Sequence, residues 1–441
     1  MTSSGTICLP CVEEAFPPEK CILVDIRRSD TNAAPAASPS AAHVFISQKF
    51  TPGLIRSILD QFSRQICSLA VSLPHEDLER LCDLLPASGG PHCINLTSTT
   101  AVTPLPPGLT HHLISLGSLL LCNIIPTWNP LKSLCSLTTL SLVGDSQPPI
   151  SFDYKHRISD FFEFLLCTPQ LHHLRLSGLG PTIYDVTPDW IVPLEFLETL
   201  HLHHCCLQAE ILYHLSISLD TREISIHTRV RSAHLYTGAV LYITASRWEF
   251  VPLSVNFYQE GVDTCRLLFV GTRLREGSGD NLSELPVLTL EISVTDATQR
   301  FGTIFSGRCI QSFRSLSAAH IQELTVHSYR QPQGQMENPV HNLLRSLSSL
   351  RKLALKGCDE SPFYEELSRI RVQGRRGKRG LSVVCPHLAV VEIDPIAEFQ
   401  RYLGDQTPCR TLVKDLSKLI QKRKGCGAPL KKLQIVFPAQ C

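Results

Sequence analysis

The chain has 441 residues, with 41 Lys+Arg against 40 Asp+Glu and a formal net charge of +1, so the molecule as a whole is no electrostatic trap for nucleic acid or an anionic membrane. Hydrophobic residues make up 43% and charged residues 18%, which gives ample apolar side chain to bury and too few charges for a globally disordered chain. Its 18 cysteines are spread far too thinly for a small disulfide-stapled scaffold.

The opening residues, MTSSGTICLPCVEEAF, have no basic n-region and no continuous apolar run, which excludes a secretory signal. Residues 1–20 are expected to be poorly ordered. Cys8 and Cys11, with Cys21 nearby, begin a zinc-ligand spacing, but no fourth ligand stands close to them in sequence, so no metal and no cofactor is expected. Residues 29–41 (SDTNAAPAASPSA) are of low complexity and read as a flexible excursion. Residues 54–62 and 78–85 have apolar positions at helical spacing. The longest apolar stretch, residues 113–126, is broken by Ser115, Gly117, Ser118 and Asn123 and is too short to span a bilayer. The expectation is therefore an intracellular protein, cytoplasmic or nuclear, with no membrane partner and with reduced, mostly buried cysteines. On that reading the sequons at Asn95 and Asn281 are chance matches.

From residue 137 onward one pattern recurs: apolar-x-x-apolar-x-apolar. It runs through Leu137, Leu140 and Leu142, then Leu171, Leu174 and Leu176, then Leu197, Leu200 and Leu202. Ile321, Leu324 and Val326 repeat it, as do Leu350, Leu353 and Leu355, Leu388, Val391 and Ile393, and Leu430, Leu433 and Ile435. Residues 66–71 and 287–292 fit with substitutions. The last two apolar residues of each copy are two apart, so on a strand they share a side. One such strand cannot bury that side alone, whereas parallel copies about 4.8 Å apart make a continuous core. Parallel neighbours need return segments, usually helical, and residues 161–166 (ended by Pro169) and 412–420 supply two more. Between residues 219 and 271 the β-rich runs 223–226, 239–243, 253–257 and 267–270 crowd too closely for a helix in every return, so short loops or a local hairpin are expected there.

These features predict an α/β chain whose residues 21–441 form one irregular leucine-rich-repeat solenoid, with a parallel β-sheet on the concave side and helices and loops on the convex side. Leu140, Leu142, Leu174, Leu176, Leu200, Leu202, Leu324, Leu353, Leu355 and Leu433 are its predicted core. Cys205 and Cys358 each fall eight residues after the first leucine of a copy, the Asn/Cys position that supports the turn leaving the strand.

The densest cluster of candidate ligands is His201, His203, His204, Cys205 and Cys206. His201 and His203 alternate with Leu200 and Leu202 and should face away from the core. The preceding copy sets Arg175 beside His201, and a ladder kept in register would set His227 beside His203. Arg175, His201, His203 and His227 are thus the candidate contact surface for a protein ligand, against the alternative of an ordinary polar sheet face. Residues 351–441 carry 18 Lys+Arg against 9 Asp+Glu, peaking at Arg371, Arg375, Arg376, Lys378 and Arg379 and again at Lys422-Arg423-Lys424. That excess reads as a solvated loop, or else as a localisation or acidic-partner patch; aromatic residues for single-stranded nucleic acid are missing from it. A G-x-S-x-G elbow, a P-loop, H-E-x-x-H and Rossmann glycines are all absent, and no enzyme is expected.

Three stretches, Cys167-Thr-Pro-Gln-Leu171, Cys385-Pro-His-Leu388 and residues 423–435 (RKGCGAPLKKLQI), resemble the repeats of fungal-type F-box/leucine-rich-repeat proteins. Residues 22–85 look like the part of such proteins that follows the F-box. The resemblance implies repeats that bind a substrate and an F-box that docks on a Skp-type adaptor of a cullin-RING ubiquitin ligase. The chain departs from the family at that point: its nearest matches to an F-box opening are Leu9-Pro10-Cys11 and Phe16-Pro17-Pro18-Glu19. Expected partners are thus an unidentified protein ligand and, where an F-box is supplied, a Skp-type adaptor. A structural leucine-rich-repeat protein or degenerate paralogue without a ligase role is the alternative.

Overall fold

The computed structural model describes residues 21–25, 41–47, 52–62, 66–85, 91–100, 102–112, 116–144, 156–218, 220–230, 250–260, 264–273, 287–294, 321–327, 339–358, 361–375, 378–395 and 407–435. Residues 1–20, 29–40 and 239–243, Cys8, Cys11, Asn281 and Arg376 lie outside them. The chain is α/β, built on a large, mostly parallel sheet with few helices, and it divides into two compact units, Met1–Leu207 and Gln208–Cys441.

In the first unit, strands Cys21–Asp25 (β1), Ala41–Ser47 (β2), Ile66–Leu73 (β3), Cys93–Ser98 (β4), Ser118–Cys122 (β5), Thr139–Val143 (β6), His173–Ser177 (β7) and Thr199–His203 (β8) lie in chain order, each parallel to the next. Register aligns two apolar columns across β2–β8. One runs Val44, Leu69, Ile94, Leu119, Leu140, Leu174 and Leu200; the other runs Ile46, Val71, Leu96, Leu121, Leu142, Leu176 and Leu202. None of these side chains is more than 2% exposed. Alternation along a strand puts both columns on one face. The returns bury their own apolar sides: Ile55 and Leu59 of helix Pro52–Phe62 (α1), Leu78 and Leu81 of His75–Cys82 (α2), Trp128 and Leu131 of the single turn Trp128–Leu131 (α3), and Phe161, Phe162, Phe164 and Leu165 of Ile158–Cys167 (α4). Trp128 meets Phe161 and Phe164 at ring-centroid distances of 5.0 and 5.2 Å, a geometry that adds to their area burial.

Entry into β5–β8 follows one rule. Two successive N–H groups converge on a single carbonyl that lies just before the neighbouring strand: Gly117 and Ser118 on His92, Thr138 and Thr139 on Gly117, His172 and His173 on Thr138, Glu198 and Thr199 on His172. Exit has its own device. Asn123 (φ 56°), Gly178 (φ 68°) and His204 (φ 52°), which follow β5, β7 and β8, adopt the left-handed conformation and turn the chain out of the sheet.

In the second unit, Glu223–Val230 (β9), Phe250–Glu260 (β10), Thr264–Arg273 (β11), Val287–Val294 (β12), Glu323–His327 (β13), Lys352–Cys358 (β14), Val390–Pro395 (β15) and Lys432–Ile435 (β16) stand in the spatial order β9-β12-β11-β10-β13-β14-β15-β16. The pairs β10/β11 and β11/β12 are antiparallel and all others are parallel. For β10/β11 the cause lies in the connection. Residues 261–263 alone separate β10 from β11, and a parallel neighbour needs a crossover of a dozen residues or more. The convergent entry recurs beyond the antiparallel strands: Arg351 and Lys352 on Gln322, Ala389 and Val390 on Arg351, Lys431 and Lys432 on Ala389.

Leu324, Leu353 and Leu355 are buried here, with Val391 and Ile393 in the same columns. Leu433 differs. It stands on β16, the last strand of the sheet, and is half-buried. Helices Gln208–His214 (α5), Pro339–Ser346 (α6), Ser361–Leu367 (α7) and Thr407–Gly425 (α8) contribute Ile211, Leu212, Leu343, Leu344, Phe363, Leu367, Leu416 and Leu419 to the core. The basic residues Arg371, Arg375, Lys378 and Arg379, expected on a loop, stand on an antiparallel strand pair, Ile370–Arg375 with Lys378–Val383. No helix among the described residues is long and apolar enough to cross a membrane.

Candidate functional site

Strand positions that alternate with the buried columns line the opposite face of each sheet, and each unit presents its own. In the first unit, Ala70, Asn95, Leu120, Ser141, Arg175 and His201 form one row by register, and Thr97, Cys122, Val143, Ser177 and His203 form the next. Arg175 is exposed and pairs in register with His201. His201 and His203 are half-buried, their rings stacked at 5.6 Å and 12°. His173 Nδ1 and Thr199 Oγ1 are 3.0 Å apart on the row below, and at its margin His172 Nδ1 meets Glu198 Oε1 at 3.1 Å. Burial pushes the Cys122 thiol up, a bond with Thr97 and the charge of Arg175 working against that. Arg175, His201 and His203 thus share one surface.

His227 belongs to the second unit. Its described neighbours are Ser225, with Oγ 3.3 Å from Nε2, and Glu291, its register partner, with Oε2 4.0 Å from Nε2. The side chain of Gln208, buried on α5, donates to the His227 carbonyl at 2.9 Å and holds that backbone in place. Glu291 also reaches Arg266 Nη1 at 3.5 Å. The Arg266 guanidinium lies 4.5 Å over the Tyr258 ring, and Tyr258 stacks on His327 at 4.2 Å and 15°. Lys356 follows His327 in register. Burial holds the His327 imidazole below its ordinary value, and the charges of Lys356 and Arg266 add to that. A strip of guanidinium, phenol and imidazole therefore crosses the hairpin. Sequence reasoning missed it, because it depends on Tyr258 pairing with Arg266 across β10/β11. The readable signal was parity: Val255 and Phe257 face the core, which sends Asn256 and Tyr258 to the other side.

The remaining candidates are structural. Cys358 Sγ donates to the Val326 carbonyl of the preceding coil at 3.1 Å, and Cys205 is buried at the equivalent position. Burial raises the Cys82 thiol to about 11 and the Cys385 thiol to about 12, so neither offers a thiolate nucleophile near neutrality. Within the Lys422–Lys424 run, Lys422 and Lys424 are exposed on the last turn of α8, but Arg423 is fully buried. It donates to the carbonyls of Val384 at 2.9 Å and Cys385 at 2.8 Å, with Leu388 at 3.5 Å, and so clips the Cys385-Pro-His-Leu388 turn to the helix. Glu366, also buried, is held by Arg345 at 3.2 Å and Arg369 at 3.1 Å. Among the described residues no group of three or more His, Cys, Asp and Glu could hold a metal ion. No protein-family model matches the chain, and no curated protein matches it.

Proposed function

We propose that the chain is a non-catalytic protein-binding scaffold: an irregular leucine-rich-repeat solenoid whose units bind a partner on the sheet face opposite the leucine columns. The single observation that supports this is that face itself. In each unit it carries side chains suited to recognition, Arg175, His201 and His203 in one and Tyr258, Arg266 and His327 in the other, outside the buried core. Arginine and tyrosine are the residue types that concentrate binding energy at interfaces. The resemblance to F-box/leucine-rich-repeat proteins extends the proposal to substrate recruitment for a Skp-cullin ubiquitin ligase. A Skp-type adaptor would then accompany the chain wherever an F-box is supplied.

Affinity purification of the full chain with mass spectrometry tests this. Partners that are lost with Arg175→Ala plus His201→Ala, or with Tyr258→Ala, support the scaffold, and a Skp-type adaptor among them supports the ligase form. Partners identical in every variant would remove the proposal.

A further inference from the structure

The strands of the two units differ in how many charges they carry. Strands β2–β8, seven in succession, contain no aspartate or glutamate, and Arg175 is their one Lys, Arg, Asp or Glu. Strands β9–β16 of the second unit, by contrast, mix both signs: Glu223, Glu260, Glu291, Glu323, Glu392 and Asp394 stand among Arg229, Arg266, Arg273, Lys352, Lys356 and Lys432, with Glu291 against Arg266 and Glu392 against Lys352 at 3.1 Å. Around Arg175 stand groups that can donate hydrogen bonds to an anion: Ser141 and His201 across the ladder, His173 and Ser177 along the strand. Glu198, the carboxylate at the margin, is already engaged by His172. Among the described residues no carboxylate forms an ion pair with Arg175, whose guanidinium is exposed in a fork suited to carboxylate oxygens.

We infer that the face of β5–β8 around Arg175 receives an acidic, extended segment of a protein partner, with an Asp or Glu carboxylate seated on the Arg175 guanidinium. This rests on the scaffold reading above and names the chemistry of the partner. Nucleic acid is the weaker occupant, because one arginine on seven strands neutralises too few phosphates for backbone-driven binding. A second copy of this chain could not pair through the same face, because strands β2–β8 contain no carboxylate to seat on Arg175.

The test is fluorescence anisotropy of the full chain with a fluorescein-labelled octaglutamate peptide, an octalysine peptide and an eight-nucleotide single-stranded DNA. The octaglutamate peptide is expected to bind at low salt and the octalysine peptide not to. Arg175→Glu should weaken octaglutamate binding at least tenfold with an unchanged melting temperature. Lys414→Glu, on the exposed side of α8 in the second unit, should change it less than twofold. Binding that survives Arg175→Glu, binding equally lost in Lys414→Glu, or DNA that binds as tightly as octaglutamate would each overturn the inference. Co-purification with the same Arg175→Glu chain separates the two proposals. Partners lost from the Arg175→Glu chain while octaglutamate fails to bind even the unaltered chain would discard the acidic ligand alone, whereas partners retained in every face variant would discard the scaffold as well.

Discussion

Leu174 and His201 stand on neighbouring strands and point to opposite faces of one sheet, and their substitution should divide accordingly. Leu174 is completely buried. Leu174→Asp forfeits a burial worth about 1.5–3 kcal/mol and adds the cost of an unpaired carboxylate, so urea denaturation should show the first unit severely destabilised or unfolded. His201→Ala should shift stability by less than about 0.5 kcal/mol and act on partner binding. Equal effects of the two would reverse the inward and outward assignment. Arg423→Ala should cost about 3 kcal/mol, because it strips the Val384 and Cys385 carbonyls of their donor; Lys422→Ala, one residue away, should be nearly silent. Arg423 shows where single-residue reading stops. The run Lys422-Arg423-Lys424 looks uniformly basic, yet Leu416, Leu419 and Arg423 fall three and four apart, on one buried side of α8. Helical periodicity held that information; charge counting hid it.

At the level of strands and turns, the left-handed exits are the points of least tolerance. Gly178 has φ 68°, a conformation costing a β-branched residue about 1–2 kcal/mol, so Gly178→Val should lower the unfolding free energy from urea denaturation by that amount, seen as a lower midpoint at unchanged slope, with the fold retained. The parallel ladder was legible because Leu-x-x-Leu-x-Leu carries both the strand period and the turn into it. The order of β10, β11 and β12 was less so. Crowding pointed to hairpins, but the apolar runs carry no mark of which neighbour each strand takes, and β12 closes against β9, a partner outside its own meander. The strip Tyr258–Arg266–His327 was hidden for the same reason: its members come from three strands whose register is fixed only by that pairing.

Across the whole chain, both units carry imidazoles held below their ordinary value, each chiefly by burial: His43 and His156 in the first, His327 in the second. An imidazole whose folded value is depressed binds its proton first in the unfolded chain, so its contribution to stability is present above pH about 6.5 and is lost as pH falls below it. Thermal melts at pH 7.5 and 5.5 should show the lower transition at 5.5. His156→Phe, which removes one of these groups, should narrow the gap; a gap unchanged or widened would discount burial as its source. The recurring leucines and their helical returns put the α/β class within reach, while the boundary at residues 207 and 208 has no mark in the sequence, since Leu197, Leu200 and Leu202 repeat their pattern just before it.

The convergent carbonyls bear on what the fold can carry. Strands β5–β8 and β14–β16 are each positioned by one acceptor that precedes the neighbouring strand, and the chain between successive acceptors is short from Gly117 to Thr138 and much longer from Thr138 to His172. Extra sequence spliced into a return therefore bulges away without moving the ladder, whereas the same insert inside a strand throws every downstream side chain onto the wrong face. An epitope tag placed in the exposed stretch 187–189 should leave a cooperative melt, and the same tag between Leu174 and Leu176 should abolish it. Residues added to such returns change what the surface displays while the buried leucine columns keep their places.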